Sequence, residues 1–578
     1  MGDLYWGDNL DILRNYVASE SVDLIYLDPP FNSNRNYNVL FRENGKSESD
    51  AQIQAFTDTW HWSEQAELAY AELVEANHVP QRVSDLIVAM RSFIGSNDVM
   101  AYLVMMTLRL LELHRVLKPT GSIYLHCDPT ASHYLKVVMD TIWGPKHFRS
   151  EIIWRRTNAH NNTSRQYGPI HDTILFYTKS DKFVFHPGTR PYSRSYIESR
   201  FIHQDSRGRY QTNYLTGPGT RRGASGDPWG GFNPTAAGRH WAIPKSLRPF
   251  LPDDGAGMSS QDQLECLYQQ DLIVFPKKQG GQPMYKQYVG PGVTYQDIWA
   301  YQPNTQGVLY ATDECIDEDV KWLENEPERL GYETQKPEGL LTRIIETSTN
   351  PSDVVLDPFC GCGTAIAASE RLHRQWIGID ITHLAIAAIV SRMQSAFPGI
   401  EINRHGEPRD VGGARALAEV DRYDFQNWAL ALVGARPVAE DSRGKSKKGA
   451  DRGIDGVISF LGTDAKTPAR CLVQVKSGHV SSATIRDLAG TVQREEAEMG
   501  LLITLAEPTG PMRTEALEAG FFHSEFMQRD YPRLQILTIR EVFEGKTAQL
   551  PPLYSPYRLA ERRQRGQGQQ RSLFERHG

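Results

Sequence analysis

Two short apolar runs, each ending in Asp-Pro, constrain the fold of this chain more than any other feature. Residues 23–31 read DLIYLDPPF and residues 354–363 read VVLDPFCGCG. Each run is typical of a buried strand. The glycines of the second run permit a tight turn and a close approach of the backbone to a ligand. The two runs lie hundreds of residues apart, and together they are expected to form one functional site.

Further apolar segments favour an α/β fold. A helix is predicted from about Met100 to Leu117 because its apolar residues recur at helical spacing and it stops at the sequence KPTG. Another is predicted at Leu340–Thr347. The predicted strands are Leu24–Leu27, Ser122–His126, Glu151–Trp154, Thr173–Tyr177, Val354–Leu356 and Trp376–Ile379. Alternation of strands and helices predicts a sheet with parallel strands.

Composition limits the class of protein. At 578 residues the chain exceeds one ordinary core, so two or more domains are expected. With 40% hydrophobic and 23% charged residues, no apolar run long enough for a bilayer and no signal peptide, cytoplasmic residence is expected. Six cysteines form no disulfide framework at this length. The net charge of −7 argues against a uniformly basic DNA-binding protein, so any contact with DNA must be local.

The second run has the order of a nucleotide-binding unit. A strand ends at Asp357, the glycine turn and a helix follow, and the next strand ends at Asp380. A carboxylate there suits hydrogen bonds to ribose hydroxyls. An ordinary turn is the alternative for the Gly-x-Gly alone. Cys360 and Cys362 are not expected to bind a metal, because no second ligand pair lies at suitable spacing.

The first run suits chemistry on an exocyclic amine of a nucleic-acid base. Such an amine is a poor nucleophile, and acceptors for its two N–H groups would favour a pyramidal, electron-rich nitrogen. Asp28 and the Pro29 carbonyl can supply those acceptors, while Pro30 stiffens the loop. Phe31 can stack on a base that has left the duplex. The alternative is a strand end followed by a Pro-Pro turn.

On these motifs the chain resembles β-class S-adenosylmethionine-dependent DNA adenine-N6 methyltransferases, and the modification subunits of Type III restriction systems are similar. The sequences LELHRVLKPTG at 111–121 and HDTILFYTK at 171–179 also match, and the resemblance covers about residues 3–400. It implies a Rossmann-like methyltransferase domain with permuted motif order and an inserted target-recognition region. It also implies a homodimer. Asp28 at the first motif position goes with adenine, where cytosine-N4 enzymes usually carry Ser.

The resemblance also implies a set of residues that bind S-adenosyl-L-methionine. Phe359, Gly361 and Gly363 match the cofactor motif, and Lys336 and Pro337 match its lead-in. By the same resemblance Asp357 lies near the methionine part, Asp380 at the ribose and Asp8 near the adenine.

The middle region is predicted to recognise double-stranded DNA. Between 190 and 245 arginines alternate with aromatic residues, and arginines can bind phosphates or guanine edges. The candidate DNA-binding residues are Arg190, Arg194, Arg207, Arg209, Arg221, Arg222 and Arg239. The alternative is an irregular surface with scattered charge.

The C-terminal region carries a second candidate site. The sequences DRGIDGVI at 451–458 and CLVQVKSG at 471–478 predict a hairpin that places Asp455 beside Gln474 and Lys476. Asp455 can hold Mg²⁺ beside a phosphate and Lys476 can stabilise charge. The pattern resembles Mrr-type endonucleases of the PD-(D/E)XK superfamily, which implies an α/β restriction-endonuclease-like domain.

Two departures leave the nuclease activity open. Gln474 replaces a usual anionic ligand, and Gln426 stands where many relatives carry Glu, although Asp424 or Asp451 can compensate. A nuclease-like domain that docks DNA without cutting, or ordinary turn chemistry, are the alternatives. Because no Walker A motif is found, any ATP-driven step requires a separate ATPase or helicase partner.

These inferences predict a two-activity protein of restriction-modification or phage defence. The alternatives are a modification enzyme whose C-terminal domain only docks DNA, and a DNA-sensing defence subunit. The predicted parts are a catalytic half at 1–157, a target-recognition insertion at 158–333, a cofactor-binding half at 334–400, a linker at 401–419, a nuclease-like domain at 420–550 and a basic tail at 551–578.

Overall fold

The computed structural model describes residues 2–30, 36–40, 52–57, 62–157, 167–190, 192, 194–277, 280–290, 292–301, 317–323, 335–438, 453–462 and 468–553. The chain divides into two compact units. The larger comprises Met1–His186, Asp297–Tyr301 and Glu318–Gly578, and the smaller comprises Pro187–Gln296 and Gln302–Asp317. Among the described helices, none combines the length and apolarity needed to cross a membrane.

The N-terminal part of the larger unit alternates strands and helices. Its elements are β1 (Gly2–Trp6), α1 (Asn9–Tyr16), β2 (Val22–Leu27), β3 (Asn36–Leu40), β4 (Gln52–Thr57), α2 (Glu64–Glu75), α3 (Gln81–Ile94), α4 (Asp98–Val116), β5 (Leu117–Cys127), α5 (Ser132–Trp143), β6 (Phe148–Arg155) and β7 (His171–Thr178). All four strands predicted here are confirmed, each extended by at least one residue.

The smaller unit consists of short strands and two helices. Its elements are β8 (Thr189–Arg190), α6 (Arg194–Arg200), β9 (His203–Asp205), β10 (Gly208–Tyr214), β11 (Thr216–Pro218), β12 (Arg239–Trp241), α7 (Ser260–Gln269), β13 (Ile273–Val274), β14 (Met284–Tyr288) and β15 (Val293–Thr294). A sheet in the order β13-β14-β10-β9 packs around a core that contains Leu215, Trp241 and Leu264.

The larger unit also contains a second set of elements, later in the chain. They are β16 (Ile298–Trp299), α8 (Glu338–Ser348), β17 (Val354–Asp357), α9 (Thr364–Arg371), β18 (Gln375–Asp380), α10 (His383–Ala396), β19 (Ile402–His405) and α11 (Val411–Val420). Residues 401–419, for which sequence analysis predicts a linker, therefore contain a strand and most of a helix. Ile402 pairs with Gly2, which makes β19 an edge strand of the main sheet.

The main sheet has nine strands in the order β16-β6-β7-β5-β2-β17-β18-β1-β19. The late strands β17 and β18 therefore lie between the early strands β2 and β1, as a permuted motif order requires. The expectation of parallel strands is wrong at β7, which pairs antiparallel with β5 and β6. No helix is described between β6 and β7, and a connection without a crossover helix favours antiparallel pairing.

The C-terminal region forms its own sheet, in the order β20-β21-β22-β23-β26. Its elements are α12 (Arg422–Leu432), β20 (Arg436–Pro437), β21 (Gly456–Leu461), β22 (Pro468–Lys476), α13 (Ser482–Arg494), β23 (Met499–Thr504), α14 (Gly510–Glu518), β24 (Phe521–Ser524), β25 (Arg529–Pro532), β26 (Leu534–Thr538) and α15 (Ile539–Phe543). Strand residues alternate between the two faces, so Val473 packs with Trp428 of α12 while Leu472 packs with Leu488 of α13. The α/β class predicted for this region is confirmed.

Candidate functional site

Three carboxylates meet at one edge of the main sheet. Strands β2, β17 and β18 are parallel neighbours, so their carboxyl ends lie side by side. Asp28 follows β2, Asp357 ends β17 and Asp380 ends β18. In open α/β sheets, ligands bind at this edge. The two Asp-Pro runs, residues 23–31 and 354–363, therefore meet at one place in the fold.

The glycine turn between β17 and α9 is tied to both flanking strands. The amide of Phe359 donates to Asp357 Oδ1 at 3.1 Å, and the amide of Gly361 donates to Asp380 Oδ2 at 2.9 Å. Gly363 has a φ of 75°, and a Cβ atom there would lie 2.8 Å from Ile389 Cγ1. The left-handed backbone and the close packing both require glycine at 363.

Burial changes the acid chemistry of this edge. Desolvation, followed by the charges of Asp28 and Asp380, raises the pKa of Asp357 well above its usual value. Desolvation also raises the pKa of Asp380, although amide groups of the turn and of Thr382 counteract it. Carboxylates crowded in this way favour a cationic ligand group near them.

Asp28 is paired with a lysine from the other motif. Lys336 Nζ donates to Asp28 Oδ2, and the two side chains are only 11% and 16% exposed. Pro29 is buried, and Pro337 is the residue before α8. Sequence analysis assigns Lys336 to the cofactor, whereas its ion pair places it against the predicted catalytic carboxylate. Phe31 lies outside the described residues.

A buried arginine that sequence analysis missed connects two parts of the predicted cofactor site. Arg109, only 4% exposed, donates through Nη2 to both oxygens of Asp8 at 3.0 Å and through Nε to Asn9 Oδ1 at 2.6 Å. Asn9 Nδ2 in turn donates to the Pro358 carbonyl at 2.8 Å. A single arginine within the apolar run YLVMMTLRLL was the available signal, because a buried charge requires a partner.

The candidate DNA-binding arginines of the smaller unit differ in their surroundings. Arg190 Nη1 forms an ion pair with Asp317 at 3.2 Å, and Arg239 donates to the Thr216 hydroxyl and carbonyl. These two side chains therefore hold the unit together. Arg209 is half-buried, and the exposed members of the set are Arg194, Arg207, Arg221 and Arg222.

The C-terminal candidate site forms at the predicted hairpin. β21 and β22 are antiparallel, and the register that pairs Gly456 with Val473 puts Asp455 opposite Gln474. Asp455 Oδ2 accepts the amide of Val475 at 2.6 Å. Gln474 is buried and its Oε1 has no hydrogen-bond partner among the described residues. Lys476 is half-buried.

This set does not fit a magnesium ion. Asp455 is the sole carboxylate among the three side chains, and one of its oxygens is used by the backbone. Within the described parts of the chain, no group of three or more His, Cys, Asp or Glu residues is arranged to hold a metal ion. Asp451 lies outside the described residues.

Comparison with known proteins identifies the family of the larger unit. Residues 22–391 match the family described as DNA methylase, with members that act at N6 or N4, and the chain belongs to this DNA methylase family. It is a DNA methyltransferase. Residues 441–543 match a family described as NACHT-associated inactive restriction endonuclease 1.

Similar proteins come from restriction-modification systems. The Type II methyltransferase M.EcaI of Enterobacter cloacae is 26% identical over 392 residues, which cover 67% of this chain and 68% of that protein. The Mod subunit of the Type III enzyme StyLTI of Salmonella typhimurium is 27% identical over 388 residues, 64% of this chain and 50% of the subunit.

Two solved structures are more distant. The cytosine-N4-specific PvuII DNA methyltransferase aligns at 12% identity with a TM-score of 0.30. The alignment covers 69% of this chain and 88% of the PvuII enzyme. A DNA modification methylase structure from Thermus thermophilus, in complex with S-adenosyl-L-methionine, aligns at 13% identity with a TM-score of 0.31, over 71% of this chain and 99% of its own. Similarity at this level carries no functional information.

Proposed function

We propose that this chain methylates adenine N6 in double-stranded DNA with S-adenosyl-L-methionine as the methyl donor. The observation that carries the proposal is the meeting of Asp28 and its partner Lys336 with Asp357 and Asp380 at one sheet edge. The family match leaves N6 and N4 open. Asp28 in the first motif favours adenine.

The residues of the edge fit a cationic cofactor that carries a ribose. The turn at Gly361–Gly363 lets the backbone approach the ligand, and Asp357 faces the same edge as a buried carboxylate. Asp380, at the end of β18, is the candidate for the ribose, and Asp8 for the adenine. When bound, the cofactor supplies an electrophilic methyl group.

The catalytic residues act on the amine of the target base. Asp28 and the Pro29 carbonyl accept its N–H groups and raise the electron density on nitrogen as it begins to attack. Lys336 holds the Asp28 carboxylate at the sheet edge before the base arrives. Phe31 is proposed to stack on the extruded base.

The experiment uses the whole protein, duplex DNA and cofactor labelled in its methyl group. Digestion to nucleosides should give labelled N6-methyladenine from the parent and far less, in the same reaction time, from Asp28→Ala. Labelled N4-methylcytosine would contradict the assignment of adenine as the target base. If the protein binds the cofactor but the DNA stays unlabelled, the proposed methyl transfer is wrong.

The smaller unit is proposed to recognise the DNA sequence. Arg207, Arg221 and Arg222 are exposed and can reach phosphates or base edges. Replacing these three with alanine should weaken DNA binding and flatten its salt dependence, measured by fluorescence anisotropy. Cofactor affinity should stay unchanged.

A second proposal concerns the C-terminal domain, which we infer to be a restriction-endonuclease-like module that docks DNA without cutting it. Two observations favour this over an active Mrr-type nuclease: the match to an inactive endonuclease family, and the single carboxylate beside Gln474 and Lys476. Incubation of the parent with unmodified plasmid and Mg²⁺ or Mn²⁺ should give no cuts. If the parent cleaves the plasmid in a metal-dependent way and Asp455→Ala abolishes the cleavage, this proposal is wrong and the domain is an active nuclease.

The relatives also support proposals about partners. Because similar proteins include Type III Mod subunits, we propose that a separate subunit supplies any ATP-driven or cutting step. Purification from the native host with associated proteins tests this. The predicted homodimer is tested by light scattering, where a monomer-sized species alone would overturn it.

A further inference from the structure

A chain of buried polar side chains crosses three strands beside the catalytic edge. Tyr26 Oη lies 2.9 Å from His126 Nδ1, and His126 Nε2 lies 3.1 Å from Asp172 Oδ2. Each of the three residues is at most 2% exposed. They lie on the neighbouring strands β2, β5 and β7. Polar groups this deeply buried are costly unless they are connected, as these are.

The chemistry of the groups sets the direction of the bonds. An ionised carboxylate only accepts, so the imidazole donates from Nε2 to Asp172 and, when neutral, accepts the Tyr26 hydroxyl at Nδ1. Desolvation raises the pKa of Asp172, but the hydrogen bond and charge of His126 and the charges of Lys336 and Arg156 outweigh it, so its pKa is lowered overall. Arg156 Nε lies 3.1 Å from the other carboxylate oxygen.

These side chains lie where the backbone pairing between β2 and β5 stops. Leu27 and Leu125 are the last residues that β2 and β5 pair with each other, and His126 is the next residue along β5, where it still pairs with β7. Beyond this point the backbone of β2 leaves the ladder and continues into Asp28 and Pro29. A side-chain link from Tyr26 to His126 thus replaces the missing backbone bonds at the last part of β2.

The same groups are close enough to the catalytic pair to interact with it. Lys336, the partner of Asp28, is one of the charges that lower the pKa of Asp172. Burial and then the charge of Asp28 raise the pKa of Tyr26 well above its usual value. The buried side chains of Tyr26, His126 and Asp172 therefore interact electrostatically with the Asp28–Lys336 pair.

We propose that Tyr26, His126 and Asp172 form a positioning network that fixes the end of β2, and with it the direction in which Asp28 presents its carboxylate to the base amine. The inference rests on the proposed methyltransferase function. None of the three residues touches substrate; each acts through Asp28. Small errors in the placement of a reacting group are costly, since about 1 Å of displacement can reduce a rate about 100-fold.

The cleanest test removes one hydroxyl. Tyr26→Phe should lower the single-turnover rate of methyl transfer by about tenfold, a value between a silent change and a full 1 Å displacement. The Kd values for the cofactor and for DNA should change less than about twofold. Asp172→Asn should lower the rate similarly, and Asp172→Glu should recover part of it.

A matched control is present in the same sheet. Tyr124 lies opposite Tyr26 in the β2–β5 ladder, is equally buried and is bonded through its hydroxyl to Ser348 at 2.8 Å. Tyr124→Phe should lower the melting temperature as much as Tyr26→Phe does, without lowering the rate. Equal rate losses in the two variants, or a loss that appears only as weaker cofactor binding, would overturn the network.

The outcomes also separate this inference from the function on which it rests. If the parent methylates no base, the proposed function fails first. If the parent methylates adenine while Tyr26→Phe and Asp172→Asn keep its full rate, only the network fails. His126→Asn, with its melting curve recorded, provides a further variant that keeps a polar side chain in the chain of bonds.

Discussion

The edge of the main sheet and the edge of the C-terminal sheet both place a carboxylate beside a lysine, but they surround it differently. Asp28 is paired with Lys336 and has Asp357 on the adjacent strand β17 and Asp380 on the strand beyond it, β18. Asp455 faces an amide side chain, and its own Oδ2 is bonded to a backbone amide. A carboxylate at a strand end therefore indicates chemistry where a lysine and further carboxylates gather beside it, as they do around Asp28.

The strongest test of this contrast is the loss of the first carboxylate. Asp28→Ala should lower the rate of methyl transfer by about 100- to 1000-fold, because the acceptor for the amine is lost. Single-turnover assays at saturating cofactor check this. Asp181→Ala is the control, since that carboxylate is exposed and paired with Arg149. A loss of less than threefold for Asp28→Ala would place the catalytic edge elsewhere.

The next largest effect is expected for the arginine beneath the predicted adenine site. Arg109→Met removes the arginine partner of Asn9 and of the partly exposed Asp8. The free energy of unfolding should fall by about 1–3 kcal/mol, after allowance for solvent at Asp8. Cofactor affinity, measured by calorimetry, should fall about tenfold. Arg14→Met removes an ion pair with Glu72 near the surface. This control should change both the cofactor affinity and the free energy of unfolding much less than Arg109→Met does.

The glycine turn allows a smaller and separable test. Gly363→Ala combines left-handed strain with a close contact to Ile389, so both cofactor affinity and stability should fall, the latter by about 1–2 kcal/mol. Gly399 also has a positive φ but has no atom within 4 Å of an added Cβ. Gly399→Ala should therefore show the strain alone. If Gly363→Ala and Gly399→Ala lose the same free energy of unfolding, the contact between residue 363 and Ile389 is unimportant for stability.

The buried acid at the end of β17 predicts a pH effect. Because the folded-state pKa of Asp357 is raised, its contribution to stability is complete below the unfolded pKa of about 4 and is lost as pH rises towards the folded value. Asp357→Asn should thus raise the melting temperature by a few degrees at pH 8, on the scale of about 2–4 °C per kcal/mol, and by almost nothing near pH 4. Thermal melts of parent and variant across this pH range check the prediction. If Asp357→Asn lowers the melting temperature at pH 8, the ionised acid stabilises the fold and the prediction is wrong.

The smallest effect is expected at the second edge. Asp455→Ala should leave methyl transfer unchanged, and the lost bond to Val475 should lower the free energy of unfolding by about 1 kcal/mol. Paired methylation assays and melting curves of parent and variant check this. A large loss of methylation would show that the C-terminal domain takes part in the reaction.

Sequence alone was sufficient for what depends on local pattern. The apolar runs ending at Leu27 and Leu356 predict strands, and parallel neighbours then bring Asp28 and Asp357 together. The direction of β7 was mispredicted because alternation of strands and helices along the chain does not specify whether each strand pairs parallel or antiparallel with its neighbours. Arg109 and the Tyr26–His126–Asp172 network were missed because the partners lie far apart in the sequence, by 101 residues for Arg109 and Asp8 and by 46 residues for His126 and Asp172, where spacing carries no signal.

The position of β1 has a consequence for how the protein is made. Its residues pair on one side with β18 and on the other with β19, which ends at His405. β1 therefore has no edge of this sheet to join until strands from nearly four hundred residues later have been synthesised. At about 5–20 residues per second, this is a delay of roughly 20–80 seconds. During that interval the nascent segment stays open to holding factors, which makes this strand a sensitive point for expression of the chain.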